Sequence, residues 1–195
     1  MLRSIRFLSL LFCLLLLSSG CQLLIDPTRL PTASTSALTV QPAVALEPAF
    51  LFNIYIDLDA PQDIGSVPEL GVRHLYYFKG GSFVGPELQG TVVAGGQNWF
   101  LIRNNCVCDL YIQGQLQTDD GATIDFIGHG YSRTTPAIRQ AIMEGAAIKT
   151  ADYAFRGTPF FETTDPDYAW LNAAVTVATY RFEPDRVTLS VYAIR

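Results

Sequence analysis

The chain contains few of the residues from which metal sites are usually built. It has two histidines and four cysteines among 195 residues, and they form neither a Cys-x-x-Cys nor a His-x-x-x-His pair. Because zinc sites depend on such spacing, no metal site is expected, although Cys106, Cys108, His74 and His129 carry suitable ligand atoms. The stretch TDDGATID likewise lacks the ligand spacing of a calcium loop. Both histidines are expected as isolated strand residues.

Signatures of common enzyme classes are also missing. No Gly-x-Ser-x-Gly elbow occurs, and the glycine pairs do not join a strand to a helix. These pairs therefore predict turns and not phosphate-binding loops. No cofactor is expected.

Basic residues are scarce. Lysine and arginine number 13 against 18 acidic residues, which gives a net charge of −5. The first 20 residues hold Arg3 and Arg6 and no acid, so without them the balance is 11 against 18, or −7. An acidic chain without basic clusters argues against nucleic acid as a partner and against electrostatic docking on anionic lipid.

The N-terminus has the order of a secretory signal. Arg3 and Arg6 precede the apolar run Leu8–Leu17, which only Ser9 interrupts, and small residues follow it. The run is too short to span a bilayer comfortably, since a spanning helix needs ~20 apolar residues. The sequence therefore predicts export.

The segment Leu17–Cys21 resembles the bacterial lipobox, in which a cysteine is lipidated and becomes the new N-terminus. The leucine usual three positions before that cysteine is Ser18 here. Ordinary cleavage nearby, or an uncleaved anchor, is the alternative. Residues 22–46 are rich in proline, threonine, serine and alanine without periodicity, and they predict a flexible tether. We therefore divide the chain into a lipoprotein signal (1–20), the lipidated Cys21 with its tether (21–46) and a domain (47–195) anchored in the cell envelope.

Strand patterns dominate the domain. Phe52, Ile54, Ile56 and Leu58 alternate with polar residues, and further β-rich runs are separated by glycine pairs and Gly-Pro. Runs 107–117 and 122–131 are joined through Asp119–Gly121, which predicts a tight hairpin turn.

One helix is expected. Thr135 can cap it, Pro136 suits its first turn, and Gly145 ends it. Eight to ten antiparallel strands with one short helix indicate an all-β fold, either a closed barrel or a sandwich.

Four ordered motifs carry a family resemblance over about 47–195: GGSFVGPELQGTVVAGGQNW, TDDGATI, YAFRGTPFFET and DYAWLN. They resemble the motifs of the domain-of-unknown-function 3237 family, also catalogued as UPF0311. The resemblance implies a small closed antiparallel β-barrel and no established activity. Many members lack a signal, whereas this chain has one.

Polar and aromatic residues within those motifs are candidate ligand-binding residues: Trp99, Arg156, Glu162, Trp170 and Asn172. Alternate residues of a small barrel point inward, and the interior can be filled or can hold one ligand. Arg156 can hold a carboxylate or polarise a carbonyl, or it can pair with Glu162 at the barrel mouth. Both tryptophans can instead be core residues.

The chain departs from the family pattern at several charged positions. Relatives usually have an Asp-Gly turn where this chain has Asn105-Cys106, and then an aspartate and an arginine where it has Tyr111 and Gln113. A further aspartate is replaced by Asn98. If the charged residues are catalytic in relatives, the titrating groups are lost here, which favours binding over catalysis. Tyr111 joins the candidate ligand-binding residues.

Cys106 and Cys108 are the two cysteines left for a disulfide, because Cys13 leaves with the signal and Cys21 is expected to be acylated. Export favours oxidation. Residues two apart in a strand lie ~6.6 Å apart, near the limit for a bridge, but Cys106 takes the place of the family's turn glycine. A bridge and a pair of buried thiols both remain open.

The leading functional hypothesis is a lipid-anchored envelope protein whose barrel binds a small aromatic or carboxylate-bearing molecule. One alternative is an isomerase or hydrolase of the same architecture acting on small aromatic or polyketide-like compounds. Another is a structural envelope protein with a filled barrel. The sequence does not predict the oligomeric state.

Overall fold

Strands make up most of the computed structural model, which describes residues 44–144, 146, 149 and 154–195. The elements are β1 (Pro48–Leu58), β2 (Gln62–Val67), β3 (Gly71–Val84), β4 (Gln89–Val92), β5 (Gln97–Arg103), β6 (Val107–Thr118), β7 (Thr123–Arg133), α1 (Pro136–Met143), β8 (Phe155–Glu162), a 3-10 helix (Ala169–Ala173), β9 (Thr176–Glu183) and β10 (Arg186–Ile194). The signal, Cys21 and nearly all of the tether lie outside the described residues. No helix in the described part of the chain is long and apolar enough to cross a bilayer.

The strands form one antiparallel sheet that closes on itself. Hydrogen-bonded neighbours run β1-β10-β9-β8-β7-β6-β4-β3-β2, and pairing of β1 with β3 closes the ring. β5 pairs with β3 and β6, as β4 does, so β4 and β5 occupy successive parts of one position in the wall. The predicted closed barrel is confirmed, and the alternative of a sandwich is wrong.

β2 is a strand that the sequence did not indicate. It pairs with β3 alone, its residues are exposed or half-buried, and Gly65 within it has a positive φ of 88°. A short edge strand with no buried face leaves no apolar alternation to detect.

Side chains alternate between the interior of the barrel and its outer face, as the pleat of a strand requires. In β1 the predicted inward residues Phe52, Ile54, Ile56 and Leu58 are all buried. β7 shows strict alternation of exposed and buried residues over its whole length. The outer face of each strand is therefore fixed by the residues that fill the interior.

Apolar side chains fill the interior. Phe52 packs edge-on against Phe83 and Phe161, with ring centroids 6.1 and 5.3 Å apart. Phe78 stacks on Phe126 at 6.3 Å and lies so close to Gly114 that a Cβ there would come within 2.7 Å of the Phe78 ring. These rings pack closely against one another in the interior, and the alternate residues of the same strands lie on the outer face.

The predicted helix and hairpin are present. The backbone N–H of Ile138 donates to Thr135 Oγ1 at 3.2 Å, so Thr135 caps α1 as expected. Gly121 has a φ of 96° in the turn that joins β6 to β7. Gly145, where the helix was expected to end, lies outside the described residues, and α1 ends at Met143.

The structure shows no disulfide between Cys106 and Cys108. Cys108 lies within β6 and is buried in the interior. Cys106 precedes the strand, in the turn between β5 and β6, and has a φ of 62°. Its carbonyl accepts hydrogen bonds from the backbone N–H and the hydroxyl of Thr134 at 2.9 and 3.0 Å. The turn is held by these backbone contacts and not by a disulfide.

Replacement of Cys106 by glycine should stabilise the fold. A non-glycine residue in the left-handed region costs ~1–2 kcal/mol, and the entropy lost by glycine offsets part of the gain. We therefore expect Cys106→Gly to raise the free energy of unfolding by about 1 kcal/mol. Urea denaturation measures it, and Cys106→Ala, which keeps a Cβ, is the control. Equal stability of the two variants would show that backbone strain at this turn is unimportant.

Candidate functional site

Two adjacent rows of side chains cross the outer face of β3, β5, β6, β7 and β8. Residues that pair directly across strands point to the same side of a sheet, ~4.5–5.5 Å apart. One row is Leu75, Trp99, Tyr111, His129 and Thr158. The other is Arg73, Leu101, Asp109, Tyr131 and Arg156. We call the charged and aromatic members of these rows, with His129 and Arg103, the outer patch: Arg73, Trp99, Arg103, Asp109, Tyr111, His129, Tyr131 and Arg156.

Asp109 is the centre of the outer patch. Arg103 Nη2 donates to its Oδ2, and His129 Nε2 lies 2.8 Å from its Oδ1. The Asp109 side chain is only 17% exposed, whereas that of His129 is 46% exposed. Because an ionised carboxylate only accepts hydrogen bonds, Nε2 carries the hydrogen, and Nδ1 is the basic nitrogen. Asp109 thereby fixes both the tautomer and the orientation of the imidazole.

Aromatic rings surround this ionic centre. The rings of His129 and Tyr131 are 4.6 Å apart between centroids, and Tyr111 meets His129 edge-on at 6.4 Å. The Arg103 guanidinium lies 5.7 Å from the Tyr131 ring. Tyr111 and Tyr131 are nevertheless 39% and 47% exposed. Their free ring faces offer a surface on which a planar ligand can pack.

The outer patch is locally positive although the chain is acidic overall. The outer patch contains three arginines, Arg73, Arg103 and Arg156, and one carboxylate, that of Asp109. The hydrogen bond with Asp109 raises the pKa of Arg103 above its ordinary value, so this guanidinium stays charged. Arg73 lies over the Trp99 ring at 5.5 Å. Two of the three arginines are thus held in place by neighbouring side chains.

Arg156 is the third arginine and has no side-chain partner among the described residues. It is exposed, and its Nη1 donates only to the carbonyl of Phe155, at 2.9 Å. It lies directly opposite Tyr131 in the register of β7 and β8. This guanidinium therefore keeps most of its hydrogen-bonding capacity for an anion beside the aromatic rings.

The structure brings together three of the six candidate ligand-binding residues. Trp99, Tyr111 and Arg156 all belong to the outer patch. Phe155 takes the inward position at the start of β8 and Arg156 the outward one, so Arg156 does not line the interior. Trp99 is half-buried on the outer face and is not a core residue.

Glu162 lies apart from the outer patch. It shares the outer face of β8 with Arg156 but is six residues along the strand, ~20 Å away, so the considered ion pair is not formed. Glu162 lines a cleft of about 450 Å³ where the β4–β5 connection meets the barrel wall. Asp125 is directly opposite Glu162 in that cleft, and Gln113 lines it as well. Two facing carboxylates make this cleft unfavourable for an anion.

Trp170 and Asn172 belong to the 3-10 helix and not to the outer patch. The Asn172 side chain accepts from the backbone N–H of Thr163 at 2.8 Å and donates to its carbonyl at 2.9 Å. Trp170 is 39% exposed, so the alternative that it is a core residue is wrong. The contacts of Asn172 fix the loop that follows β8.

Two of the family motifs are joined by side-chain hydrogen bonds. Tyr168 of DYAWLN donates its hydroxyl hydrogen to Asp120 of TDDGATI at 2.8 Å, and Thr118 also donates to Asp120. The hydrogen bond from Thr118, with that from Tyr168 second, holds the pKa of Asp120 below its ordinary value. The polar residues of these motifs therefore join the β6–β7 turn to the loop before the 3-10 helix.

Asp109 and Tyr131 were not singled out from the sequence, and His129 was taken as isolated. The signal that could have found them is the hairpin. A turn centred on Asp120 fixes the register of β6 and β7, and it pairs Asp109 with Tyr131 and Tyr111 with His129. No group of three or more potential metal ligands is found within the described residues.

Comparison with known proteins places the fold among uncharacterised barrels. The profile of a family described as "Protein of unknown function (DUF3237)" matches residues 44–194. A UPF0311 protein of Clostridium acetobutylicum is 30% identical over 144 residues, covering 74% of this chain and 91% of that protein. A UPF0311 protein of Rhodopseudomonas palustris is 28% identical over 151 residues, covering 76% and 97%. A crystal structure of a protein with unknown function from C. acetobutylicum superposes with a TM-score of 0.73 at 28% identity, covering 79% of this chain and all of that one.

Proposed function

The chain belongs to the DUF3237 family, and we propose that it is a lipid-anchored envelope protein that binds a small aromatic carboxylate on the outer patch of its barrel. The family supplies the fold and no activity, so the proposal depends on the geometry of the patch. The observation that carries it is the exposed Arg156 guanidinium, without an ion-pair partner among the described residues, directly opposite Tyr131.

The charges of the outer patch favour an anion. A carboxylate beside Arg156 meets a planar guanidinium that can donate two parallel hydrogen bonds, and Arg103, which lies by the Tyr131 ring, adds positive potential nearby. The one acid of the patch, Asp109, is neutralised by its contacts with Arg103 and His129. The cleft beside Glu162, by contrast, presents two carboxylates.

The rings of the outer patch favour an aromatic ligand. Tyr111 and Tyr131 are exposed on either side of His129, and each can pack against a ligand ring at a gain of ~0.5–1.5 kcal/mol beyond the area buried. The spacing of the two rows, ~6.6 Å along the strand, suits a ring joined to a carboxylate through a short chain.

The filled interior explains why the proposed site is on the outside. Aromatic and aliphatic side chains such as Phe52, Phe78 and Ile112 occupy the barrel, in the manner of the structural alternative. The inward residues of each strand can stabilise the fold while the outward residues of the same strands bind a ligand, because successive side chains point to opposite sides.

Anchoring by lipid on Cys21 completes the proposal. The charged start, the apolar run and the lipobox-like Leu17–Cys21 support it. A single acyl chain binds membranes only weakly, so stable anchoring requires more than one chain on this cysteine.

Ligand binding can be tested with 3-phenylpropanoate and the full-length protein in detergent, by isothermal titration calorimetry. Arg156→Met should weaken binding about tenfold to a hundredfold, because hydrogen bonds to a charged group contribute ~1.5–3 kcal/mol. Glu162→Gln, an exposed change on the same face of β8, should leave the affinity unchanged. Neither variant should lose more than about 0.5 kcal/mol of stability, since neither residue is buried or ion-paired with the other. Equal losses of affinity in the two variants, or equally tight binding of neutral 3-phenylpropan-1-ol, would count against the proposal.

Lipidation is tested by Cys21→Ser. The variant should remain an unprocessed precursor and take up no label from a palmitate analogue, whereas the unchanged protein is labelled and fractionates with membranes. Cys106→Ser is the matched control and should be labelled normally. Normal labelling and fractionation of Cys21→Ser would show that the lipobox interpretation is wrong.

A further inference from the structure

We infer that His129 is a general base and that the outer patch catalyses proton transfer from a bound aromatic 2-keto acid. The inference rests on the proposed binding function, since the arginine and tyrosine side chains must first hold the substrate. It adds a reaction class to that function, the keto–enol isomerisation of a carbon acid.

The His129 side chain has two features of a general base: a fixed orientation and an accessible ring nitrogen. Its Nε2 hydrogen is donated to Asp109, and no second hydrogen-bond partner of the ring is found among the described residues. Nδ1 is therefore the basic nitrogen of a side chain that is nearly half exposed. A carboxylate that binds one nitrogen of an imidazole stabilises the imidazolium that forms when the other nitrogen takes a proton.

Asp109 is a positioning residue for this base. Its second oxygen accepts from Arg103, and its side chain is largely buried, so the carboxylate cannot rotate freely. Both oxygens of Asp109 are engaged, one by Arg103 and the other by His129. It acts through the imidazole, whose tautomer and direction it fixes.

The groups that face His129 come from every strand packed against it. These are Asp109 and Tyr111 of β6, Tyr131 of β7, Arg103 of β5 through Asp109, and Thr158 and Arg156 of β8. The charged members are one acid already bound to His129 and two arginines. An enolate formed beside the imidazole can therefore be stabilised by Arg156, the guanidinium of the neighbouring strand that has no ion-pair partner among the described residues.

The step conserves atoms and electrons without a co-reactant. A C–H bond next to the keto group of the substrate breaks, and its proton forms a bond to His129 Nδ1. The electron pair stays on the substrate as an enolate, with Arg156 near the oxygen that becomes negative. The imidazolium then returns the proton to that oxygen, which gives the enol, or to carbon after exchange with solvent.

Exchange of the methylene hydrogens of phenylpyruvate for deuterium measures this step directly. The full-length protein in detergent and D₂O should accelerate the loss of the methylene signal in proton NMR over buffer alone, with saturation in phenylpyruvate. His129→Asn and His129→Gln should lower kcat by ~10²–10⁴-fold, the usual contribution of a general base. Asp109→Asn should lower kcat, expressed per folded protein, and leave KM unchanged, which a loss of binding would not do.

The same protein samples are titrated with phenylpyruvate by calorimetry, so that binding and reaction are separated. Binding with accelerated exchange that His129→Asn abolishes supports the inference. Binding with exchange no faster than in buffer overturns the inference and leaves the proposed function standing, as does exchange that persists in both His129 variants. Absence of binding overturns both.

Discussion

Closure of the sheet through the pairing of β1 with β3 is the constraint on which the rest of the structure depends. A closed barrel of about eight positions has an interior that side chains can fill, and here phenylalanine and branched aliphatic residues fill it. Because successive side chains of a strand point to opposite sides, the residues before and after each inward residue point to the outer face. The proposed binding site at these strand positions therefore lies on the outside of the wall.

The outer patch depends in turn on one carboxylate. Asp109 is held by Arg103 and His129, and this three-residue contact orders a guanidinium and an imidazole beside two tyrosines. Without Asp109, Arg103 would lose the partner that fixes it, and His129 could adopt either tautomer. The patch combines a positive potential, exposed rings and an oriented base on rigid strands, whereas the cleft around Glu162 has the opposite charge.

The sequence predicted most of the fold but only part of the candidate site. Alternation in β1 and the turn at Asp119–Gly121 are local signals, and the structure confirms both. The direction of Arg156 depends on which residue of YAFRGTPFFET points inward. Phe155 takes that place, where it packs against Tyr180 of the neighbouring strand β9. That packing is a long-range contact, so the motif did not reveal it. Asn172 was a candidate because it lies in a family motif. Its hydrogen bonds to Thr163 show that it stabilises the loop after β8.

The position of the bound ligand tests the central claim, that this barrel binds on its outer face. Intermolecular NOEs between 3-phenylpropanoate and the full-length protein in detergent report it directly, because Tyr131 and His129 face outward while Leu110 and Ile112 of the adjacent strand face inward. We predict NOEs from the ligand ring to the ring protons of Tyr131 and His129, and none to the methyl groups of Leu110 and Ile112. NOEs to those interior methyl groups, without contacts to the outer rings, would contradict the account.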